Sequence, residues 1–273
     1  MDFRLSDQQI EFQEKCHTFA RDVIRPVAAK YDREQKTPWD VIKKAAEVDL
    51  YGMNYIQHMS TDPEGLLGVI YTEEMHWGCA GIALALGASS LAAAGIASSG
   101  TPEQMMEWIP RCFGDADEPK LGAYAVTEAG AGSDVKALRT TAKRDGDDWI
   151  LNGTKIFISN GGIADVTVAV ATVDPELGHR GHASFVIPGD TPGLLAGKKE
   201  DKLGIRASHT GEVVFEDCRI PMEYLLGGID KLEAKLERAR SGQSTGKASG
   251  ALATFEMTRP LVGSSAIGIA RAA

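Results

Sequence analysis

A chain of 273 residues offers material for one large domain or two modest ones. Its 43% hydrophobic and 25% charged content is an ordinary soluble balance, and a net charge of −9 argues against nucleic acid or an anionic membrane as partner. A phosphate-bearing ligand must then be held locally, by backbone N–H groups, helix ends or a few placed cations.

The opening MDFRLSDQQIEF carries charges throughout and lacks an apolar core, so it does not read as a secretory signal. Ser6 and Gln9 match a capping box, opening a helix through Ile10, Phe12, Cys16, Phe19, Ala20 and Val23. Pro26 ends or kinks it. Thr37-Pro38 predicts another helix, with proline at its first position. Leu66 to Trp77 continues the helical pattern. Cys79 to Ser99 carries no charge over about one bilayer span. It is mostly Ala, Gly and Ser, with Ile82, Leu84, Leu86, Leu91 and Ile96 as its large aliphatics, which predicts a buried bundle helix and no membrane span. Thr101-Pro102-Glu103-Gln104 starts the next helix, running to about Phe113.

From Leu121 the pattern changes. Seven short strands are predicted in LGAYAVT, LRTTAK, DWIL, TKIFISN, VTVAVATV, ASFVIP and EVVFED, with hairpin signals at Asp145-Gly146 and Asn152-Gly153. After Gly228 helix returns: IDKLEAKLERARSG is charged, SGQSTGKASG is a low-complexity linker, and ALATFEMTRPLVGSSAIGIARAA is a new apolar helix. The expected class is α+β. Residues 1–120 form an N-terminal helical domain and 121–228 a barrel-like antiparallel β domain; 229–250 is a charged insertion, and 251–273 the first helix of a C-terminal bundle.

Cys16, Cys79, Cys112 and Cys218 form no CxxC pair and have no histidine at ligand spacing. That predicts neither a metal site nor a disulfide framework, and suits a reduced, cytoplasmic setting.

Two stretches carry chemistry. In YAVTEAGAGSDV, Gly130 and Gly132 follow a strand, but Val135 stands where a dinucleotide fingerprint needs a third glycine, and a strand follows where a helix is needed. A simple turn and a nest of N–H groups around an anion both fit. In TKIFISN, alternation points Ile156 and Ile158 to one side and Lys155, Phe157 and Ser159 to the other. An ordinary half-buried strand and a wall offering an aromatic ring beside a hydroxyl both fit.

These two stretches, with KEDKLGIRASHTGEVVFEDCRIP, FEMTRPLVGSSAIGIARAA and GTPEQMMEWIPRC, resemble the acyl-CoA dehydrogenase family, in helical, β, helical order over nearly the whole chain. The resemblance implies FAD as cofactor, contacted by Tyr124, Ala125, Val126, Thr127, Gly130, Ala131, Gly132 and Ser133, and by Phe157, Ile158 and Ser159. It also implies an acyl-CoA substrate near Ser133, Glu256, Met257, Thr258 and Arg259. Phe157 replaces the family's frequent tryptophan, and Glu256 its common aspartate.

The implied reaction is α,β-dehydrogenation of an acyl-CoA thioester to a trans-2-enoyl-CoA within fatty acid β-oxidation. Electrons pass to an electron-transfer flavoprotein, and the enzyme is a homo-oligomer, dimer or tetramer. Thr258 holds a position where some members carry the catalytic base, and threonine cannot serve. Glu256, two residues away, lies about 200° around a helix. The base is therefore expected beyond Ala273, as are the family's distal arginine and glutamine-glycine motifs.

Two alternatives stay open: a flavin oxidase or monooxygenase on the same scaffold, and a non-catalytic partner subunit. The family passes from sheet to bundle in a shorter loop. The extra segment is either a solvated insertion or a contact surface for a partner or the CoA nucleotide, through Lys231, Lys235, Arg238, Arg240 and Lys247.

Overall fold

The computed structural model describes residues 4–242 and 250–273; the expected linker, with Lys247, falls mostly outside the described residues. Helix α1 (Asp7–Phe19) opens on the reciprocal box, Ser6 Oγ accepting from the Gln9 amide and Gln9 Oε1 from the Ser6 amide. Phe12, Cys16 and Phe19 are buried, whereas Ile10 is exposed on the opposite face. The chain runs on through a π turn at Ala20–Ile24 and a 3-10 turn at Arg25–Val27, where Pro26 removes a donor, into α2 (Ala28–Glu34). Helix α3 (Trp39–Glu47) starts one residue later than expected, since Pro38 sits at the cap position. Helices α4 (Met53–Ser60), α5 (Leu66–Gly78), α6 (Ala80–Ser99) and α7 (Pro102–Arg111) follow, the last opened by the Thr101–Gln104 box.

Among the described residues, α6 is the one helix long and apolar enough to cross a membrane. Its apolar surface is used within the fold. Ile82, Leu86, Ala92 and Ile96 are buried, and Gly95 lies so close to the Tyr124 ring that a Cβ there would approach it to 2.7 Å. Gly122 similarly meets Ala92, so small residues on both sides let α6 seat the first strand. The buried Ser89 hydroxyl completes the contact, accepting from the Gly122 amide at 3.0 Å.

The strands are β1 (Gly122–Ala125), β2 (Thr141–Asp145), β3 (Asp148–Ser159), β4 (Val166–Thr172), β5 (His182–Pro188), β6 (Leu194–Lys199) and β7 (Thr210–Pro221). They form one sheet in the order β1-β4-β2-β3-β7-β6, with β5 on β4. Pairing is antiparallel except at β1–β4 and at a single β2–β4 contact, Thr141 opposite Thr172. A parallel pair needs a long crossover, and the β2–β3 hairpin supplies it.

Asp145-Gly146 makes the expected tight turn, with Gly146 at φ 63°. Asn152-Gly153 does not: DWIL and TKIFISN form one strand, β3, and the pair lies inside it. There β7 carries an extra residue, Leu151 facing Cys218 and Gly153 facing Phe215. Asn152 clasps the bulged Asp217 through two hydrogen bonds of 2.9 and 3.0 Å. Gly153 is required because a Cβ would come within 2.5 Å of Thr140 Oγ1. The second strand begins at Thr141 instead of Leu138, because Thr140 turns inward. Strand β6 had no clear signal; it is a largely exposed edge strand without alternation.

Helix α8 (Ile229–Arg240) lies on the sheet through Leu232 and Ala239. Helix α9 (Gly250–Ala272) lies against α5, with Gly68 under Leu261 and Gly268 against the Glu73 carbonyl. Arg271 there binds Glu73 and the fully buried Glu74, which His17 also contacts at 2.9 Å.

Candidate functional site

Strand β3 brings the two chemistry-bearing stretches together. The Lys155 side chain is 0% exposed, and its ammonium donates to the Val126 carbonyl at 3.0 Å, the Val170 carbonyl at 2.6 Å and Glu128 Oε1 at 2.8 Å. One residue on, the Ile156 amide donates to the Thr127 carbonyl at 2.9 Å. Three consecutive residues of the first stretch are thus bound by two consecutive residues of the second.

Strict alternation had grouped Lys155 with Phe157 and Ser159; the structure corrects this. Lys155 faces Val213 and Ile158 faces Gly211, so β3 spends three steps on two of β7. The extra residue is absorbed where Phe157 adopts φ 58°, left-handed and rare for a bulky residue. The bulge changes the parity: Lys155 and Ile158 face inward, while Phe157 is 62% exposed and Ser159 half-buried. Lys155 keeps the inward face shared by Trp149 and Leu151, where its ammonium finds three acceptors, and the change falls after it.

The first stretch leaves β1 and folds back on itself. Glu128 and Ala131 exchange backbone hydrogen bonds of 3.1 and 3.0 Å, closing a tight turn around Ala129 and Gly130. The Glu128 carboxylate then closes the larger loop, accepting from the Arg139 amide at 2.7 Å and from the Thr140 amide and hydroxyl at 2.9 and 2.6 Å. Burial works to raise its pKa, but the bonds from Lys155, Thr140 and Arg139 hold it below the usual carboxylate range. Burial pulls Lys155 down to about 8, against the opposing pull of Glu128.

Gly130, Gly132 and Ser133 are exposed, and a Cβ at either glycine would meet open space. Among the described residues, no protein group accepts from the N–H of Gly130, Gly132 or Ser133. Asp134, also exposed, caps a 3-10 turn at Val135–Ala137 by accepting from the Lys136 amide at 3.2 Å.

Helix α9 meets the first stretch through residues not anticipated from the sequence. The Phe255 ring stands edge-on to Tyr124, centroids 6.0 Å apart, and packs with Val126, Ala131, Leu138 and Val170. Tyr124 also reaches Thr254 Oγ1 at 3.5 Å. Of the expected substrate residues, Glu256 and Arg259 are exposed and Thr258 bonds the Thr254 and Phe255 carbonyls at 3.3 Å; the Met257 side chain lies outside the described residues.

Residues 6–114 match the family model for the acyl-CoA dehydrogenase N-terminal domain, and residues 123–218 that for the acyl-CoA dehydrogenase middle domain. Butyryl-CoA dehydrogenase from Megasphaera elsdenii superposes on 100% of this chain and 68% of its own, at TM-score 0.81 and 32% identity. The chain belongs to the acyl-CoA dehydrogenase family.

The mitochondrial short-chain specific acyl-CoA dehydrogenase of Rattus norvegicus is 41% identical over 218 residues, covering 79% of this chain and 52% of the rat protein. The chain thus spans about half the length of the curated relatives it matches. A glutaryl-CoA dehydrogenase from Mycobacterium smegmatis, solved in complex with FADH2, is 25% identical at TM-score 0.71, over 98% of this chain and 77% of that one.

Within this family member, the eleven expected cofactor contacts divide by exposure. Ala125, Val126, Ala131 and Ile158 are buried within the fold. Tyr124, Thr127, Gly130, Gly132, Ser133, Phe157 and Ser159 keep exposed or half-exposed surface. Glu128, Lys155 and Phe255 were missed. The available signal was two charges of opposite sign, each inside an otherwise apolar or small-residue run.

Proposed function

We propose that this chain provides the FAD-holding part of an acyl-CoA dehydrogenase, which converts an acyl-CoA thioester to its trans-2-enoyl-CoA and passes electrons to an electron-transfer flavoprotein. The observation that carries the reading is the shared edge of the Thr127–Ser133 loop and the bulged Phe157–Ser159 strand, joined by the Ile156–Thr127 bond.

The residues fit FAD. Gly130 and Gly132 leave space for a close ligand, and three N–H groups with no protein acceptor among the described residues suit an anion. Phe157 gives a flat apolar wall that keeps water off a ring system, and the Ser159 hydroxyl is a donor two residues away. Bound FAD would supply the acceptor for the β-hydride. Ser133, exposed in the same loop, is the proposed contact to cofactor or thioester, and Glu256, Met257, Thr258 and Arg259 are the proposed acyl-CoA contacts. The Thr258 hydroxyl is engaged with helix carbonyls, so the α-proton needs another acceptor, a carboxylate outside these residues.

Titration of the chain with FAD, followed by visible absorbance, tests the cofactor. Anaerobic bleaching with butyryl-CoA, using the full-length polypeptide, tests the reaction. Absence of FAD binding overturns the reading. Fast reoxidation of the bleached protein in air, without electron-transfer flavoprotein, transfers it to an oxidase.

A further inference from the structure

Lys155 and Glu128 form a buried polar hub beneath the loop, touching neither its exposed glycines nor the Phe157 ring. The ammonium has three donors and three acceptors, all matched. Two of those acceptors belong to the loop base and the third, Val170, to β4. Glu128 in turn ties the loop's start to its end at Arg139 and Thr140. Such a pair is a poor device for stability alone, because well-packed apolar residues commonly do as well or better. What it gives here is position.

The strand geometry agrees. Lys155 faces inward in step with Trp149 and Leu151, and the bulge that follows it turns Phe157 outward in a left-handed conformation. We propose that Lys155 is a positioning residue, whose buried ammonium fixes the spacing between the Thr127–Ser133 loop and the exposed Phe157, the two surfaces a cofactor would meet. The identity of that cofactor rests on the FAD reading above; the pin itself does not.

Three variants test it: Lys155→Met, Glu128→Gln and the double variant, each read by amide hydrogen exchange over residues 129–133 without FAD, by FAD dissociation constant and by thermal midpoint. Lys155→Met is expected to speed loop exchange and weaken FAD, each by about tenfold, the scale of one lost charge-assisted hydrogen bond. The double variant, which buries no charge, is expected to regain the thermal midpoint while loop exchange stays fast and FAD stays weak. A double variant with wild-type exchange and affinity overturns the proposal and leaves the pair as packing. Should Lys155→Met alone not fold, the double variant carries the same comparison. A wild-type chain that binds no FAD overturns the cofactor reading, while the exchange measurement still decides the pin.

Discussion

The Ile156 amide donates to the Thr127 carbonyl at 2.9 Å, and one residue later the backbone of Phe157 turns left-handed. The join between two distant motifs and the exposure of an aromatic ring are therefore adjacent on one strand. A bulky residue held at φ 58° costs about 1 kcal/mol or more. Phe157→Gly is expected to raise the thermal midpoint of the FAD-free chain by relieving that strain, and to weaken FAD. Phe157→Ala keeps the strain and is expected to weaken FAD with little change in stability, since the ring is 62% exposed. A stability loss of about 3 kcal/mol or more in either variant would mark the ring as core.

Two glycines separate packing from ligand approach. Gly95→Ala drives a methyl to within 2.7 Å of the Tyr124 ring and is expected to cost about 1–3 kcal/mol in chemical denaturation. Gly130→Ala meets open space, so its expected effect is on FAD affinity alone. Ser133→Ala, at an exposed position of the same loop, is likewise expected to weaken FAD or acyl-CoA without unfolding the sheet. Unchanged affinity in both loop variants would return this stretch to an ordinary turn.

Much of this was legible in the sequence because it is local. Both capping boxes need only residues three apart, and both form. The uncharged Ala/Gly/Ser run could be read as a buried helix because its small residues suit close packing. What escaped was set by partners far along the chain. Asn152-Gly153 has the composition of a hairpin turn, but Thr140 and Asp217 make it a bulge partner inside a strand. Alternation in TKIFISN was sound up to Lys155 and failed after it, at the bulge where β3 spends three steps on two of β7 and Phe157 turns left-handed. The loop likewise contacts Phe255, a residue just before the four expected at the substrate.

Acid should destabilise the protein partly through His182. Burial first, then the charges of Lys235 and Lys155, with His179 adding and Glu128 opposing, lowers its pKa from 6.5 to about 4. Between those values the unfolded chain binds a proton that the folded chain refuses, so stability falls as pH drops from 6.5 towards 4. The loss is on the order of 3 kcal/mol once the window is crossed. Glu128, with a pKa held below 4.5, adds a loss in the same direction that begins only below that value. Urea midpoints across this range should therefore fall less steeply in His182→Gln, while the fall below about pH 4.5 that comes from Glu128 is kept. An unchanged slope would show that His182 is already charged when folded.

Helix α8 decides between a solvated insertion and a ligand surface. Its cations are committed to protein: Lys231 donates to the Ser99 carbonyl at 3.1 Å, Lys235 to the His182 carbonyl at 2.5 Å, Arg238 to the Ala234 carbonyl at 3.0 Å and Arg240 to Asp174 at 2.8 Å. Leu232, buried at 6% exposure, fixes the helix on the sheet beside Trp149 and Val173. A merely solvated insertion would tolerate Leu232→Ala. The packed arrangement predicts instead a loss of about 2–4 kcal/mol, read by chemical denaturation. Lys231→Ala and Arg238→Ala, tested in the full-length polypeptide, are expected to leave the Michaelis constant for acyl-CoA within about twofold, because surface ion pairs contribute little and these charges already have carbonyl partners. A rise of about tenfold in either would make α8 a contact for the CoA nucleotide, and its internal bonds would then be only the resting arrangement.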